Sequence, residues 1–116
     1  MANNGAAPAE AAAAATTPLP QMQENVPENA RAAFVAAAQR HQAGESDAAI
    51  KLYMRAIELY PAFADAYNNR GAAFRGKGEL DRAIADYKAA LRVDPRDATA
   101  AENLAAVQAE RKRAKK

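Results

Sequence analysis

The sequence predicts an all-α fold of five helices arranged as successive helix–turn–helix units, and three observations lead to this prediction. Pro27, Pro61 and Pro95 are 34 residues apart. Other residue types recur at the same offset: Gly44 and Gly78, Glu45 and Glu79, Ile50 and Ile84, Tyr53 and Tyr87. Each interval also contains two apolar stripes at helical spacing, separated by a glycine-containing break. A repeat of this length is typical of helical solenoids, in which neighbouring units share one continuous core.

The first unit is predicted to span residues 27–60. Its first helix should run from about Glu28 to Gln42, and Ala43-Gly44-Glu45 should form the turn. The second helix carries an inner apolar stripe: Ala49, Ile50, Tyr53, Ala56 and Ile57. In the first helix, Ala33 and Arg40 stand where the second unit has aromatic residues. We therefore expect this unit to pack more loosely and to act as an N-terminal cap.

The second unit is predicted to span residues 61–94. Residues at spacings of four, four and three mark one face of its first helix: Phe63, Tyr67, Gly71 and Phe74. This helix should end at Gly76-Lys77-Gly78, because glycine adopts the left-handed conformation common at helix ends. The second helix should run from about Leu80 to Val93. We expect Asp94 to cap the following helix and Pro95 to take its first position.

Residues 95–116 are predicted to form a C-terminal capping helix with a basic tail. Its apolar face is expected to comprise Ala98, Ala101, Leu104 and Val107. The last helix of a solenoid covers the preceding pair with one face and meets water with the other. Two units and one closing helix are few for such a fold. The chain is therefore predicted to be marginally stable alone or extended by association, and a homo-oligomer is one form this could take.

The residues of the second unit form a family pattern: Tyr67, Gly71, Phe74, Gly78, Ala83, Tyr87, Ala90 and Pro95. A glycine inside a helix costs about 1 kcal/mol in helix propensity, so Gly71 is understandable where another helix lies close against it. This pattern resembles the tetratricopeptide repeat family. The resemblance covers about residues 27–110 and implies a right-handed α–α superhelix. It also implies a scaffold or adaptor that binds a protein or peptide partner.

In this family the first helices of successive units line a concave groove that receives extended peptides. The resemblance implies that the corresponding positions carry specificity here, and we call them the candidate groove: Arg31, Phe34, Ala38, His41, Asp65, Asn68, Asn69, Ala72, Arg75, Thr99, Glu102 and Asn103. Phe34 is either an anchor for an apolar peptide side chain or a contact with the leader or the neighbouring helix. The Asn68 and Asn69 amides either hydrogen-bond a peptide backbone or lie on a solvated face.

Some members of the family grip a partner's C-terminal carboxylate with a set of Lys, Arg and Asn side chains. Only Asn69 matches that set, and the other positions hold Phe34, Ala38, Thr99 and Asn103. The chain is therefore not expected to be a carboxylate-clamp co-chaperone.

The net charge of +2 and the isoelectric point of about 9.0 arise from the C-terminal end. Five of the 16 basic residues lie in the last six positions: Arg111, Lys112, Arg113, Lys115 and Lys116. The alternative function is therefore a small helical module that contacts nucleic acid or an anionic surface through residues 111–116. Such runs are more often solubilising helix ends, and nucleic acid is not the expected partner.

Sequence features of an enzyme are lacking. There is no cysteine for a disulfide, a thiol nucleophile or a thiolate metal site. His41 is the only histidine, and no acid is placed beside it to form a catalytic or metal-binding set, so we expect it at the surface or the groove edge. Gly76 and Gly78 form a turn between helices and not a phosphate-binding loop. No catalytic residue, cofactor or metal is predicted.

Residues 1–24 form an Ala/Pro-rich leader that is predicted to be disordered, since it holds few large apolar residues. It would act as a tether or fold back into the groove near Phe34. The leader lacks the basic and Leu-rich regions of a secretory signal. No apolar run approaches the roughly 20 residues needed to span a membrane. A cytoplasmic location is expected.

Overall fold

A computed structural model describes residues 25–115 of the chain, which form five α-helices. The predicted leader, residues 1–24, and Lys116 lie outside the described residues. The helices are α1 (Glu28–Gln42), α2 (Ser46–Leu59), α3 (Ala64–Gly76), α4 (Leu80–Val93) and α5 (Ala98–Ala114). Helices α1 and α2 form one hairpin, α3 and α4 form a second, and α5 packs against α4. The bounds predicted for α1 and α4 are confirmed.

The turn inside each hairpin depends on one glycine in the left-handed region. Gly44 and Gly78 both have a φ of 82°. Beyond Gly44 the Glu45 amide donates to the Arg40 carbonyl at 2.9 Å, and beyond Gly78 the Glu79 amide makes the equivalent bond at 2.9 Å. This is the hydrogen-bond pattern of the Schellman motif, which satisfies carbonyls at the end of the helix. The predicted turn positions are therefore correct, and for the expected reason.

The start of α5 differs from the prediction. The helix begins at Ala98, and Asp97 is the N-cap, its side chain accepting a hydrogen bond of 3.0 Å from the Ala100 amide. Asp94 instead ends α4, and its Oδ1 accepts from the Arg96 amide at 3.1 Å in the turn between the helices. The prediction that Asp94 caps α5 and that Pro95 is its first residue is wrong. Pro95 lies in that turn.

The apolar face of α5 also differs in part from the prediction. Ala100 and Val107 are fully buried, and Leu104 packs against the cluster of Val107 with Tyr87. Ala98 and Ala101, which were expected on this face, are exposed. The predicted face is therefore correct at Leu104 and Val107 and wrong at both alanines. Alanine is compatible with either side of a helix, so its position does not indicate which face is buried.

The core is made largely of alanines with a few aromatic rings between them. Eight alanines of α1 to α4 have no exposed surface: Ala30, Ala37, Ala49, Ala56, Ala66, Ala73, Ala83 and Ala90. Tyr53, Phe63 and Tyr87 are the large side chains that are fully buried or nearly so. In the first hairpin the Phe34 ring lies 5.8 Å from the Tyr53 ring and 5.0 Å from the Phe63 ring, between centroids. Phe34 therefore supplies the aromatic contact that Ala33 cannot.

A buried ion pair joins the two helices of the second hairpin. Asp86 of α4 is 4% exposed, and the Arg70 guanidinium of α3 donates to both of its carboxylate oxygens at 2.8 and 2.9 Å. The guanidinium carbon also lies 6.0 Å from the centroid of the Tyr67 ring and 5.8 Å from that of the Phe74 ring. Both charges are thus paired in a nearly dry interface, where an unpaired charge is costly.

Candidate functional site

Four residues of the candidate groove share one face of α3. Asp65, Asn68, Ala72 and Arg75 follow spacings of three, four and three, which align side chains along a helix. Asp65, Ala72 and Arg75 are half-buried, and Asn68 is buried. A small side chain therefore lies between an acidic end and a basic end of the same helix face.

The acidic end of this face continues onto the turn before α5. The Asn68 amide donates from Nδ2 to Oδ2 of Asp97 at 2.8 Å. The pKa of Asp65 is raised above its usual value, first because the carboxyl is partly buried and then because Asp97 and Asp94 repel its charge. We call these four residues the acidic end: Asp65, Asn68, Asp94 and Asp97. Its carboxylates accept hydrogen bonds and offer no donor when ionised.

The other end of the α3 face is held by a salt bridge to α5. Nε of Arg75 donates to Oε1 of Glu110 at 2.8 Å, and both side chains are about one-third exposed. Arg75 also lies beside the Tyr87 hydroxyl. Burial raises the pKa of Tyr87, and the charge and hydrogen bond of Arg75 offset part of that rise. Arg75 is thus already paired within the chain.

The four groove positions predicted on α1 have mostly internal contacts. Arg31 donates to the Val26 carbonyl at 3.4 Å and lies 4.0 Å from Glu28. Phe34 contacts the rings of the first hairpin described above, so the contact with a neighbouring helix is the interpretation that the geometry favours. His41 lies edge-on to the Tyr53 ring, 6.2 Å between centroids. Ala38 is half-buried.

Asn69, the one residue that matches the carboxylate-clamp set, faces the first hairpin. Its amide lies beside the Tyr53 hydroxyl, which is buried and forms no well-shaped hydrogen bond to any residue that the structure describes. Burial raises the pKa of Tyr53, and the nearby Asn69 amide opposes part of that rise. Asn69 is half-buried.

Tyr53→Phe should raise the free energy of unfolding by about 0.5–1 kcal/mol, because a buried hydroxyl without a good partner costs more than the hydrogen bond returns. Urea unfolding followed by circular dichroism measures the change. Tyr60→Phe is the matched control, since Tyr60 is only half-buried and its substitution should have little effect. A destabilised Tyr53→Phe variant would mean that the hydroxyl has a strong partner in solution, with Asn69 as the nearest candidate.

The positions predicted on α5 are less enclosed. Thr99 and Glu102 are exposed, and Asn103 is half-buried. Two residues that bond side chains of α3 were not predicted for the site: Asp97 of the turn before α5 and Glu110 of α5. Asp94 of the same turn also helps to raise the pKa of Asp65. The sequence does indicate Asp97 as an N-cap, because aspartate is favoured there and its carboxylate can accept a hydrogen bond from the amide three residues later.

The basic run forms the last turn of α5, which extends to Ala114. Arg111 forms a salt bridge with Asp81 of α4. Lys112, Arg113 and Lys115 are exposed. Lys116 lies outside the described residues.

Within residues 25–115, no group of three His, Cys, Asp or Glu side chains is arranged to hold a metal ion. The helices that the structure describes are also too short or too polar to cross a membrane.

Two family patterns match the central part of the chain, and one curated relative matches a part of it. The pattern described as "Tetratricopeptide repeat" matches residues 64–97, and that described as "TPR repeat" matches residues 39–77. The small glutamine-rich tetratricopeptide repeat-containing protein 2 of Mycosarcoma maydis is 47% identical over 49 residues, which are 42% of this chain. That alignment covers only 14% of the relative.

Solved structures of similar fold include two repeat proteins. The TPR2B domain of yeast Sti1, solved in a complex named pHsp70, is 28% identical with a TM-score of 0.72, over 75% of this chain and 70% of that one. The TPR2AB domain of yeast Sti1, in a complex named pHSP90, is 30% identical with the same TM-score, over 75% of this chain and 34% of that one. MamA is 28% identical with a TM-score of 0.70, over 72% of this chain and 48% of that one.

These similarities agree with the helix pairs and glycine turns described above and confirm the predicted helix–turn–helix solenoid architecture. The two matched ranges together run from residue 39 to residue 97 and include the whole of α3 and α4. The chain belongs to the tetratricopeptide repeat family.

Proposed function

We propose that the chain binds an extended peptide segment of another protein in the candidate groove, as a scaffold or adaptor without catalytic activity. The α3 face carries the proposal: Asp65, Asn68, Ala72 and Arg75 are aligned there, with a small residue at the centre and polar groups at both ends. An extended peptide needs room for its backbone and polar partners for its amides, and this face offers both.

The comparisons support a protein partner. The two Sti1 structures of similar fold were solved as complexes named for pHsp70 and pHSP90. The candidate groove differs from a carboxylate clamp, because Phe34 and Ala38 stand where that set requires polar side chains. We therefore propose that peptide binding does not depend on a free C-terminal carboxylate.

Ala72→Arg should weaken peptide binding at least about tenfold, because the long charged side chain would occupy the centre of the groove. The probe is a dodecapeptide selected from a random displayed library on the wild-type chain, synthesised with an amidated C-terminus. Its affinity is measured by fluorescence anisotropy. Ala85→Arg is the matched control, since Ala85 is exposed on α4 and should bind as the wild type does.

Circular dichroism of both arginine variants must show the helical content of the wild type for the comparison to hold. Equal affinities of the Ala72→Arg and Ala85→Arg variants would rule out the groove as the site. A library that gives no binder at all would contradict the proposed function itself.

The exposed basic end of α5 supports the alternative function. Arg111 is paired with Asp81, whereas Lys112, Arg113 and Lys115 are exposed side chains. Deletion of residues 111–116 should leave dodecapeptide binding unchanged and should abolish any salt-sensitive binding to duplex DNA or to vesicles containing phosphatidylserine. Loss of peptide binding in the deletion variant would favour the alternative over the groove.

A further inference from the structure

The acidic end brings three carboxylates close together, and one of them is bonded to a buried amide. Asp97 accepts hydrogen bonds from the Asn68 side chain and the Ala100 amide, and Asp94 accepts one from the Arg96 amide. These bonds hold two carboxylates in place where α3 meets the turn before α5. Asp65 lies near enough to both for their charges to disfavour its ionised form. The three charges are therefore close together and fixed by the fold.

No basic side chain of the described chain neutralises this group. The salt bridges between residues 25 and 115 involve other acids, and none includes Asp65, Asp94 or Asp97. Arg96 of the same turn has an exposed side chain, and none of those salt bridges includes it. Arg75, at the far end of the α3 face, donates to Glu110. Uncompensated negative charge in a partly buried place costs free energy, and an incoming cation would recover it.

The Asn68 side chain gives an independent indication of a missing donor. Asn68 is 7% exposed, and its Nδ2 is used by Asp97, but its Oδ1 is buried with no hydrogen-bond partner among the described residues. A buried acceptor without a donor costs about 1–3 kcal/mol. Nδ2 of the same amide bonds directly to Asp97, so the Asn68 side chain lies against the acidic end. Every group in this corner that lacks a partner is thus an acceptor.

We propose that the acidic end binds the charged head of a lysine or arginine side chain of the bound peptide. Such a head carries several N–H donors, which match the carboxylates of Asp65 and Asp97 and the acceptor of the Asn68 amide. A small metal ion fits less well, because no three acidic side chains are arranged to coordinate one. The inference rests on the proposed peptide-binding function and adds to it a charge preference at one end of the groove.

The first experiment uses the selected dodecapeptides. Those whose binding depends on Ala72 should contain Lys or Arg at a fixed position, and replacing that residue by Gln should weaken binding about five- to tenfold. Asp65→Asn/Asp97→Asn should weaken the original peptide by a similar factor and leave the Gln peptide unchanged. Asn at position 97 retains the N-cap, so this variant removes charge without removing the start of α5.

The matched control is Asp47→Asn/Glu58→Gln. It makes the same change in net charge on α2, where both acids are exposed and paired with Lys77 and Arg55. It should bind the Lys or Arg peptide as the wild type does. Equal weakening of peptide binding in both double variants would show that only the net charge of the chain matters, and it would overturn the proposal. Selected peptides without a basic residue at a fixed position would overturn it as well.

A second probe tests the acidic end even if no dodecapeptide binds. Acetylated tetralysine amide, which has no α-ammonium group, should shift the side-chain amide resonances of Asn68 in the wild type and not in Asp65→Asn/Asp97→Asn. The acetylated tetraglutamine amide should shift neither. Absence of the Asn68 shift would overturn the proposal, whereas its presence without dodecapeptide binding would count against the proposed groove function alone.

Two further outcomes would assign the acidic end to another occupant and so overturn the proposal. A tetraglutamine peptide with a free N-terminus that binds as well as acetylated tetralysine would indicate an α-ammonium group. Self-association in sedimentation velocity that is lost in Asp65→Asn/Asp97→Asn would indicate a second copy of this chain. The wild type is expected to show neither.

Discussion

Asp86→Ala is expected to lower the free energy of unfolding by about 3–5 kcal/mol. The Asp86 carboxylate is 4% exposed and takes two hydrogen bonds from Arg70, so its removal leaves a guanidinium in a nearly dry interface without its counter-charge. The aromatic rings of Tyr67 and Phe74 compensate only a part of that loss, since a cation–π contact contributes about 0.5–2 kcal/mol. Helix α3 would therefore lose its main polar attachment to α4.

Thermal and urea unfolding followed at the helical circular dichroism band measure this effect. For a domain of this size each kcal/mol corresponds to about 4–8 °C in Tm, so the first measurement is whether the variant is folded at room temperature at all. Asp81→Ala is the control on the same helix. Asp81 is 77% exposed, and its one salt bridge among residues 25–115 is with Arg111, so its loss should cost less than about 1 kcal/mol.

A double substitution separates two free energies: the destabilisation caused by one unpaired buried charge, and the net stabilisation by the intact Arg70–Asp86 ion pair. Arg70→Met/Asp86→Leu replaces both charges by apolar side chains and should recover most of the stability that Asp86→Ala loses, because a buried ion pair contributes little compared with good apolar packing. A double variant as unstable as the single one would show that the ion pair itself, and not the avoidance of an unpaired charge, stabilises the hairpin.

The helices could be predicted closely because their ends depend on local chemistry. Gly44 and Gly78 end the first helix of each hairpin through a backbone conformation that other residues adopt with strain, so the break is visible in the sequence. The start of α5 was harder to predict, because Asp94 and Asp97 are both good capping residues a few positions apart. Only the geometry of the turn decides between them.

The candidate site was predictable in outline and not in its pairings. Helical spacing places Asp65, Asn68 and Arg75 on one face without any structure. Their partners Asp97 and Glu110 lie 29 and 35 residues from the side chains they bond, close to one repeat length, so the contacts exist only once α5 is seated. Burial of Asn68 likewise depends on neighbouring helices, so the sequence does not indicate whether its amide is exposed or buried.

Gly71→Val is the second large effect that we expect, a loss of about 2–3 kcal/mol. A Cβ at Gly71 would stand 2.9 Å from Cε1 and 3.1 Å from Cδ1 of Tyr87, closer than packed carbons allow. The ring cannot turn away easily, because Tyr87 is 1% exposed and packs against Val107 of α5. The higher helix propensity of valine, which favours the variant by only a few tenths of a kcal/mol, does not offset this clash.

Gly76→Val is the matched control in the same helix, because nothing lies within 4 Å of a Cβ at Gly76 and its φ needs no glycine. Urea unfolding should show Gly71→Val destabilised and Gly76→Val near the wild type.

Because Gly71 lies beside Ala72, the same clash would push the groove face of α3 away from α4 and loosen the Arg75–Glu110 contact. Peptide affinity should then fall in Gly71→Val even where the protein remains folded. A variant that binds normally but unfolds early would show that the groove tolerates a displaced α3, and one as stable as Gly76→Val would show that Tyr87 has room to move.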